Sequence, residues 1–396
     1  MAATSRTRSP TLLVALVPVL VASACSSSSS GTGYLARAVA VADLDGDGRL
    51  DILSAMASSP STRSLLSARI QARATPGTFA DPVQSPTGAD PVSIAVGDLD
   101  GDGLPDVAVA DAAADADGGH AIVVQFQVAR TPGAFSAPVA LPLGPLTPRS
   151  LALADLDGDG RLDVVVAAAG TEDVQVLFQQ APGTFAAPVG FPGGGEPTAV
   201  AAARLTDPGG VDLVVATSDG KLSVLLHGST PGTFLPPVSY GAGTNPAAVQ
   251  IADMNGDGLP DVVVADYDGT LEEFLQAPAG DGTLLPPVRH DTLDFGSCSV
   301  AIGDLDGDGR PDAVVANAGP PGYPGSVAVF MQDHAVPGQL APAVLYRGYW
   351  GPLSVALGDL NEDGLLDMAV ADGTPSVRFQ STVTPGLFLP PAWLEF

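Results

Sequence analysis

Short apolar runs follow one another along most of this chain, separated by clusters of Gly, Pro and Asp. One stretch shows the pattern well. Pro91-Val-Ser-Ile-Ala-Val-Gly97 leads into an acidic loop, and Asp106-Val-Ala-Val-Ala110 follows it. After a variable segment come Ile122-Val-Val-Gln-Phe-Gln127, a Pro-Gly turn and Pro138-Val-Ala-Leu141. β-Branched residues bounded by turn formers predict four strands in this unit. Several of the runs are apolar throughout instead of alternating, which predicts sheets covered on both faces. No helical period of 3.6 residues runs through these segments.

The acidic loop recurs as Asp-x-(Asp/Asn)-x-Asp-Gly-x-x-Asp, starting at residues 43, 98, 155, 253, 304 and 359, with a degenerate copy, RLTDPGGVD, at 204. In chain order the seven starts are 55, 57, 49, 49, 51 and 55 residues apart. A second motif keeps step with it: Thr75-Pro-Gly-Thr-Phe-Ala-Asp-Pro-Val83 returns near 131, 181 and 230, and in weaker form near 279, 336 and 384. Pro-Gly at the centre of a turn presets φ at one residue and permits positive φ at the next. Two alternating motifs, each present seven times, define seven units of about 50 residues, the size of a four-stranded propeller blade. The expected fold is therefore all-β, a seven-bladed β-propeller over 35–396. No strand is left over for strand exchange, so closure should rest on packing between the first and last blades.

Each intact loop offers side-chain oxygens at positions 1, 3, 5 and 9 and a backbone carbonyl near position 7. These are Asp43, Asp45, Asp47 and Asp51; Asp98, Asp100, Asp102 and Asp106; Asp155, Asp157, Asp159 and Asp163; Asp253, Asn255, Asp257 and Asp261; Asp304, Asp306, Asp308 and Asp312; and Asp359, Asn361, Asp363 and Asp367. Hard oxygen donors on a glycine-rich loop suit Ca²⁺ better than Mg²⁺, and soft metals would want Cys or His. An EF-hand is excluded because its closing Glu is replaced by Ser54, Val109, Val166, Val264, Val315 or Val370, and a strand-like run follows. The expectation is about six structural calcium ions per chain. Of the 44 acidic residues, half sit at these ligand positions, against 16 basic residues in all. No basic stripe exists to neutralise phosphates, which argues against a nucleic-acid partner.

The N-terminus reads as an export signal over 1–24: Arg6 and Arg8 precede the apolar Thr11–Val21, and Ala22-Ser-Ala24 stands before Cys25. Val21-Ala-Ser-Ala-Cys25 is similar to a bacterial lipobox. Lipidation at Cys25, with 25–34 as a Ser-rich tether, predicts an exported, membrane-anchored lipoprotein; plain secretion is the alternative. Cys25 and Cys298 are the only cysteines, too few for a disulfide framework. Cys298 reads as a small buried hydrophobe.

The pairing of acidic loops with Phe-x-x-Pro turns resembles the FG-GAP/VCBS repeat family, whose best-known members are the integrin α-subunit propellers. The resemblance runs from about residue 35 to the C-terminus. It implies a seven-bladed propeller with Ca²⁺ in the loop between the first and second strands of a blade, held by the ligand positions named above. The fourth unit departs from the pattern: Arg204, Thr206 and Pro208 replace three ligands. No ion is expected there, and Arg204 is a candidate for a fixed positive charge in its place.

Two functional classes remain. The first is a binding or adhesion module that recognises a protein or glycan through the face opposite the calcium loops. The last three units are rich there in aromatics, with Tyr267 and Phe295 besides the candidate ligand residues His290, Tyr323, Tyr346, Arg347, Tyr349 and Trp350. Aromatics and Arg are favoured binding anchors, although the same side chains could equally plug the propeller mouth. The alternative is a polysaccharide-active enzyme, a lyase or hydrolase. His120, His227, His290 and His334 are widely spread, and no nucleophile-elbow, zincin or phosphate-loop motif is present, so no catalytic residue is assigned.

Overall fold

The computed structural model describes residues 35–394 apart from 59–63, 115–118, 208, 321, 334–335 and 337. The expected signal, the tether and Cys25 lie outside the described residues, as do Pro208 and His334. Seven four-stranded antiparallel sheets, and no helix, are found among the described residues. Blade 1 comprises Leu35–Ala42, Asp51–Ala57, Leu65–Arg69 and Val83–Pro86, and blade 2 Pro91–Gly97, Asp106–Asp111, His120–Gln125 and Val139–Gly144. Blade 3 comprises Thr147–Ala154, Asp163–Ala169, Asp173–Leu177 and Val189–Pro192, and blade 4 Pro197–Ala203, Asp212–Thr217, Lys221–Leu225 and Val238–Gly241. Blade 5 holds Pro246–Ala252, Asp261–Asp266, Thr270–Phe274 and Val288–Asp291, and blade 6 Ser297–Gly303, Asp312–Asn317, Gly325–Phe330 and Val344–Tyr349. Blade 7 is Ser354–Gly358, Asp367–Ala371, Ser376–Arg378 and Ala392–Trp393.

The unalternating apolar runs are explained by this stacking. Second strands such as Asp106–Asp111 and Asp261–Asp266 are buried at every residue, because each face meets a neighbouring blade. Blade 4, 5 and 6 side chains share one core that includes Val224, Phe274 and Phe330. The Pro-Gly motif forms a hairpin beyond the third strand, closed by bridges such as Gln71 to Phe79 and Gln127 to Phe135.

Residue sizes are matched across the joins between blades. Gly97, Gly303 and Gly358 end the first strands of blades 2, 6 and 7, and each faces the residue before the last loop Asp of the next blade. A Cβ on them would meet Leu162 Cδ1 at 2.6 Å, Leu366 Cδ1 at 2.5 Å and Leu50 Cδ1 at 2.5 Å respectively. The other four blades end this strand in Ala (Ala42, Ala154, Ala203, Ala252), and the corresponding residue of the next blade is Pro105, Val211, Pro260 or Pro311. Leu is thus matched to Gly, and the smaller Pro or Val to Ala, all round the ring.

The join between blades 7 and 1 follows the same rule as the others. Ala36 N–H donates to Gly373 O at 2.8 Å, Val39 N–H to Ser354 Oγ at 3.1 Å, and Gln71 Nε2 to Leu360 O at 2.8 Å. Val39, Ile52 and Met56 pack with Ala356, Leu360 and Val377 in one cluster. All four strands of blade 7 come from its own repeat, so closure rests on packing and these hydrogen bonds.

Candidate metal centres and an exposed aromatic face

Antiparallel order puts the first-to-second and third-to-fourth connections on one side of the ring. The second-to-third connections and those between blades lie on the other. The acidic loops all occupy the former side. In blade 1, Asp43 accepts the N–H groups of Asp47 and Gly48 at 3.1 and 2.8 Å, and Asp45 accepts Asp47 N–H at 3.1 Å. Gly46 and Gly48 take φ of 71° and 89°, a backbone that L side chains rarely adopt. In blade 7 Glu362 stands at the first of these places and still adopts φ of 60°.

Position 9 has a double task. Asp51 is buried; its Oδ2 accepts Leu44 N–H at 2.7 Å and its Oδ1 accepts Gln71 N–H at 2.7 Å. The same pair of bonds recurs at Asp106, Asp163, Asp261, Asp312 and Asp367. Burial pushes these carboxyls up, to about 7 at Asp51 and Asp367 and to about 6 at Asp106, Asp163, Asp261 and Asp312. The backbone bonds oppose that rise, and the loop's other carboxylates add to it. The Gln that follows the third strand then ties the loop to its neighbour: Gln127 Nε2 donates to Leu44 O at 2.9 Å and Gln179 Nε2 to Leu99 O at 2.8 Å. Sequence reading missed this Gln, although Gln71, Gln127, Gln332 and Gln380 each stand five residues before a Pro-Gly pair.

The donor sets converge. Carboxylate oxygens of Asp43, Asp45 and Asp51 lie within 4.8 Å of one another, as do those of Asp98, Asp100 and Asp106, of Asp155, Asp157 and Asp163, and of Asp304, Asp306 and Asp308. Such a cluster of hard, mutually repelling oxygens fits a divalent cation. Asp47, Asp102, Asp159, Asp253, Asn255, Asp257, Asp359, Asn361 and Asp363 sit in the same loop positions of their blades. Asn361 and Asp363 also border a groove of about 460 Å³ between blades 7 and 1.

Blade 4 differs, and one expectation is corrected there. Arg204 is exposed and makes no ion pair with Asp212 among the described contacts. The partner of Asp212 is instead His227, whose Nδ1 lies 2.7 Å from Asp212 Oδ1.

The candidate ligand residues divide into two groups. Tyr323 and Trp350 are 67% and 81% exposed, and the Arg347 side chain is 66% exposed, 3.8 Å from Asp294. They flank blade 6 together with exposed Leu293 and Phe295, the latter edge-on to Tyr267 at 5.2 Å. Tyr346, Tyr349 and His290 do not join them: a bulge in the fourth strand of blade 6 turns Tyr346 and Tyr349 to the same side, against Arg378 of blade 7, and His290 faces Phe330 of blade 6. Tyr349 OH accepts a 2.6 Å bond from Arg378 Nε, and the guanidinium lies 5.0 and 5.5 Å from the Tyr349 and Tyr346 rings. Burial pushes the Tyr349 hydroxyl up to about 12, against the pull of Arg378. His290 is held between Glu273, 3.4 Å away, and the Phe330 ring. These three are structural plugs. Cys298 is fully buried at the bulge of its first strand, the position Val92 takes in blade 2.

A seven-bladed propeller with an acidic loop between the first two strands of most blades is the class of protein that this geometry defines. A family model of the FG-GAP-like repeat matches residues 65–109, 155–207, 209–264, 253–315 and 304–370, more than half of the chain. The chain belongs to the FG-GAP-like repeat family. No curated protein matches it. Its fold is similar to the crystal structure of BBS1N in complex with ARL6DN, at 14% identity and a TM-score of 0.58, over 93% of this chain and 98% of that one. It is also similar to a structure from Lactobacillus plantarum, at 17% identity and a TM-score of 0.54, over 83% of this chain and 95% of that one. At such identities the likeness shows the fold alone.

Proposed function

We propose that this protein is a calcium-stabilised binding module, exported and tethered through a lipid on Cys25, that engages a protein or glycan through the aromatic face around blade 6. The observation that carries the reading is the exposed group Leu293, Phe295, Tyr323 and Trp350, beside Arg347 and Asp294, on the side away from the acidic loops. Large exposed rings with an Arg at hand are the usual anchors of an interface. The BBS1N structure is itself a complex, so a propeller of this architecture can present a face to a partner protein. Calcium would serve the opposite side, where it neutralises clustered carboxylates and fixes the loops that brace neighbouring blades. The three described histidines each have a local partner, His120 with Thr147, His227 with Asp212 and His290 with Glu273. A glycan array and a surface-protein panel, probed in calcium with the wild type and with Trp350→Ala/Tyr323→Ala, test the reading. Binding that the double variant loses without a change in melting temperature supports it; binding unaffected by the double variant refutes the assignment of this face.

A further inference from the structure

The six intact loops share a feature that blade 4 lacks. Their position-6 glycines, Gly48, Gly103, Gly160, Gly258, Gly309 and Gly364, face open space, with no atom within 4 Å of where a Cβ would stand. The matching glycine of blade 4, Gly209, has the His227 ring against it: a Cβ there would stand 2.2 Å from Cε1 and 2.6 Å from Nε2. Gly210 is covered by the same side chain. His227 also anchors on Asp212, the one acid left at a ligand position of the loop. Its backbone N–H and its Nδ1 both lie 2.7 Å from Asp212 Oδ1, while Leu205 N–H, Thr206 N–H and Thr206 Oγ1 reach Oδ2 at 2.8, 3.2 and 3.4 Å.

Six other blades carry Gln where blade 4 carries His227, and those loops hold three or four carboxylates at the ligand positions against one here. Loss of three ligand residues and gain of a ring donor therefore occur together. We propose that in blade 4 the His227 imidazole takes the place that a metal ion takes in the other loops, so that this blade is closed by a side chain and is independent of calcium. The ring packs against Gly209 and Gly210 and supplies Asp212 with a donor where the other blades would supply a cation. Asp212 is fully buried, and the ring adds a side-chain donor to the bonds it accepts from Leu205, Thr206 and the His227 backbone.

Hydrogen exchange of the whole chain, read by mass spectrometry with calcium and with EGTA, tests this. In the wild type, exchange over 204–212 should be unchanged by EGTA while the six intact loops exchange faster. His227→Gln, the residue of the other blades, should raise exchange over 204–212 by about fivefold in both conditions. His227→Ala should do the same, which guards against a new contact made by Gln. Acceleration of 204–212 by EGTA in the wild type, or no effect of either variant, would overturn the inference. Failure of the calcium reading itself looks different: no loop would respond to EGTA.

Discussion

Gly358→Ala tests what closes the ring. The new Cβ would stand 2.5 Å from Leu50 Cδ1 and 3.3 Å from Val41 Cγ2, across the join of blades 7 and 1. Real carbon atoms do not approach to 2.5 Å, so Leu50 must move, and overpacking of this kind costs about 1–3 kcal/mol. Gly358 has no positive φ, so the backbone itself accepts Ala and returns ~0.4–1 kcal/mol by restricting the unfolded chain. The net loss expected is about 1–2 kcal/mol. Leu50→Val removes the offending methylene and recreates the Val211 with Ala154 match of blades 3 and 4. The double variant should therefore recover part of the loss, with a coupling of at least ~0.5 kcal/mol. Urea midpoints in saturating calcium, at unchanged m-value, measure all three variants. A Gly358→Ala protein as stable as wild type, or strictly additive effects in the pair, would refute the size rule as the basis of closure.

Further expectations concern pH, a buried contact and the sites' independence. The last carboxyl of each loop is raised by burial to about 6–7 without a metal. A raised folded pKa gives stability that is complete below the unfolded value of about 4 and is lost as pH climbs through 6–7. In EGTA the melting temperature should thus fall between about pH 4 and 7, whereas saturating calcium, which binds the ionised form, should remove that fall; a flat EGTA profile contradicts the assignment. Tyr349→Phe strips the 2.6 Å bond from the buried Arg378 Nε and should cost about 1.5–3 kcal/mol in denaturant unfolding; a neutral result would show that the guanidinium is satisfied without it. Asp159→Ala should remove one bound ion and leave the other loops loaded, because each site lies within its own blade; loss of several ions on metal analysis would show coupled sites.

Much of this fold was legible because its information is local and repeated. Asp-Gly loops at a blade-sized period place the turn, the first two strands and the donor set in one short window. The Pro-Gly pairs place the other turn on that side, which leaves little freedom for the rest. What local pattern does not show is which distant residues meet. Tyr346 and Tyr349 read as surface anchors until Arg378, 32 and 29 residues on, is seen between them. Arg204 stands at a ligand position and carries the right charge, yet its side chain is exposed, and the donor to Asp212 comes from His227 beyond the third strand. The match of Leu50 to Gly358 spans the whole ring, so only closure brings it into view. Trp350 and Tyr323 were legible because they sit in connections, where no strand partner claims them.

Calcium stoichiometry tests the central claim most directly. The chain, dialysed to equilibrium against trace-labelled calcium and analysed by atomic emission, should hold about six ions, one for each intact loop. One or two ions per chain would contradict the account, because the loops would then be turns stabilised by their own hydrogen bonds and not metal sites.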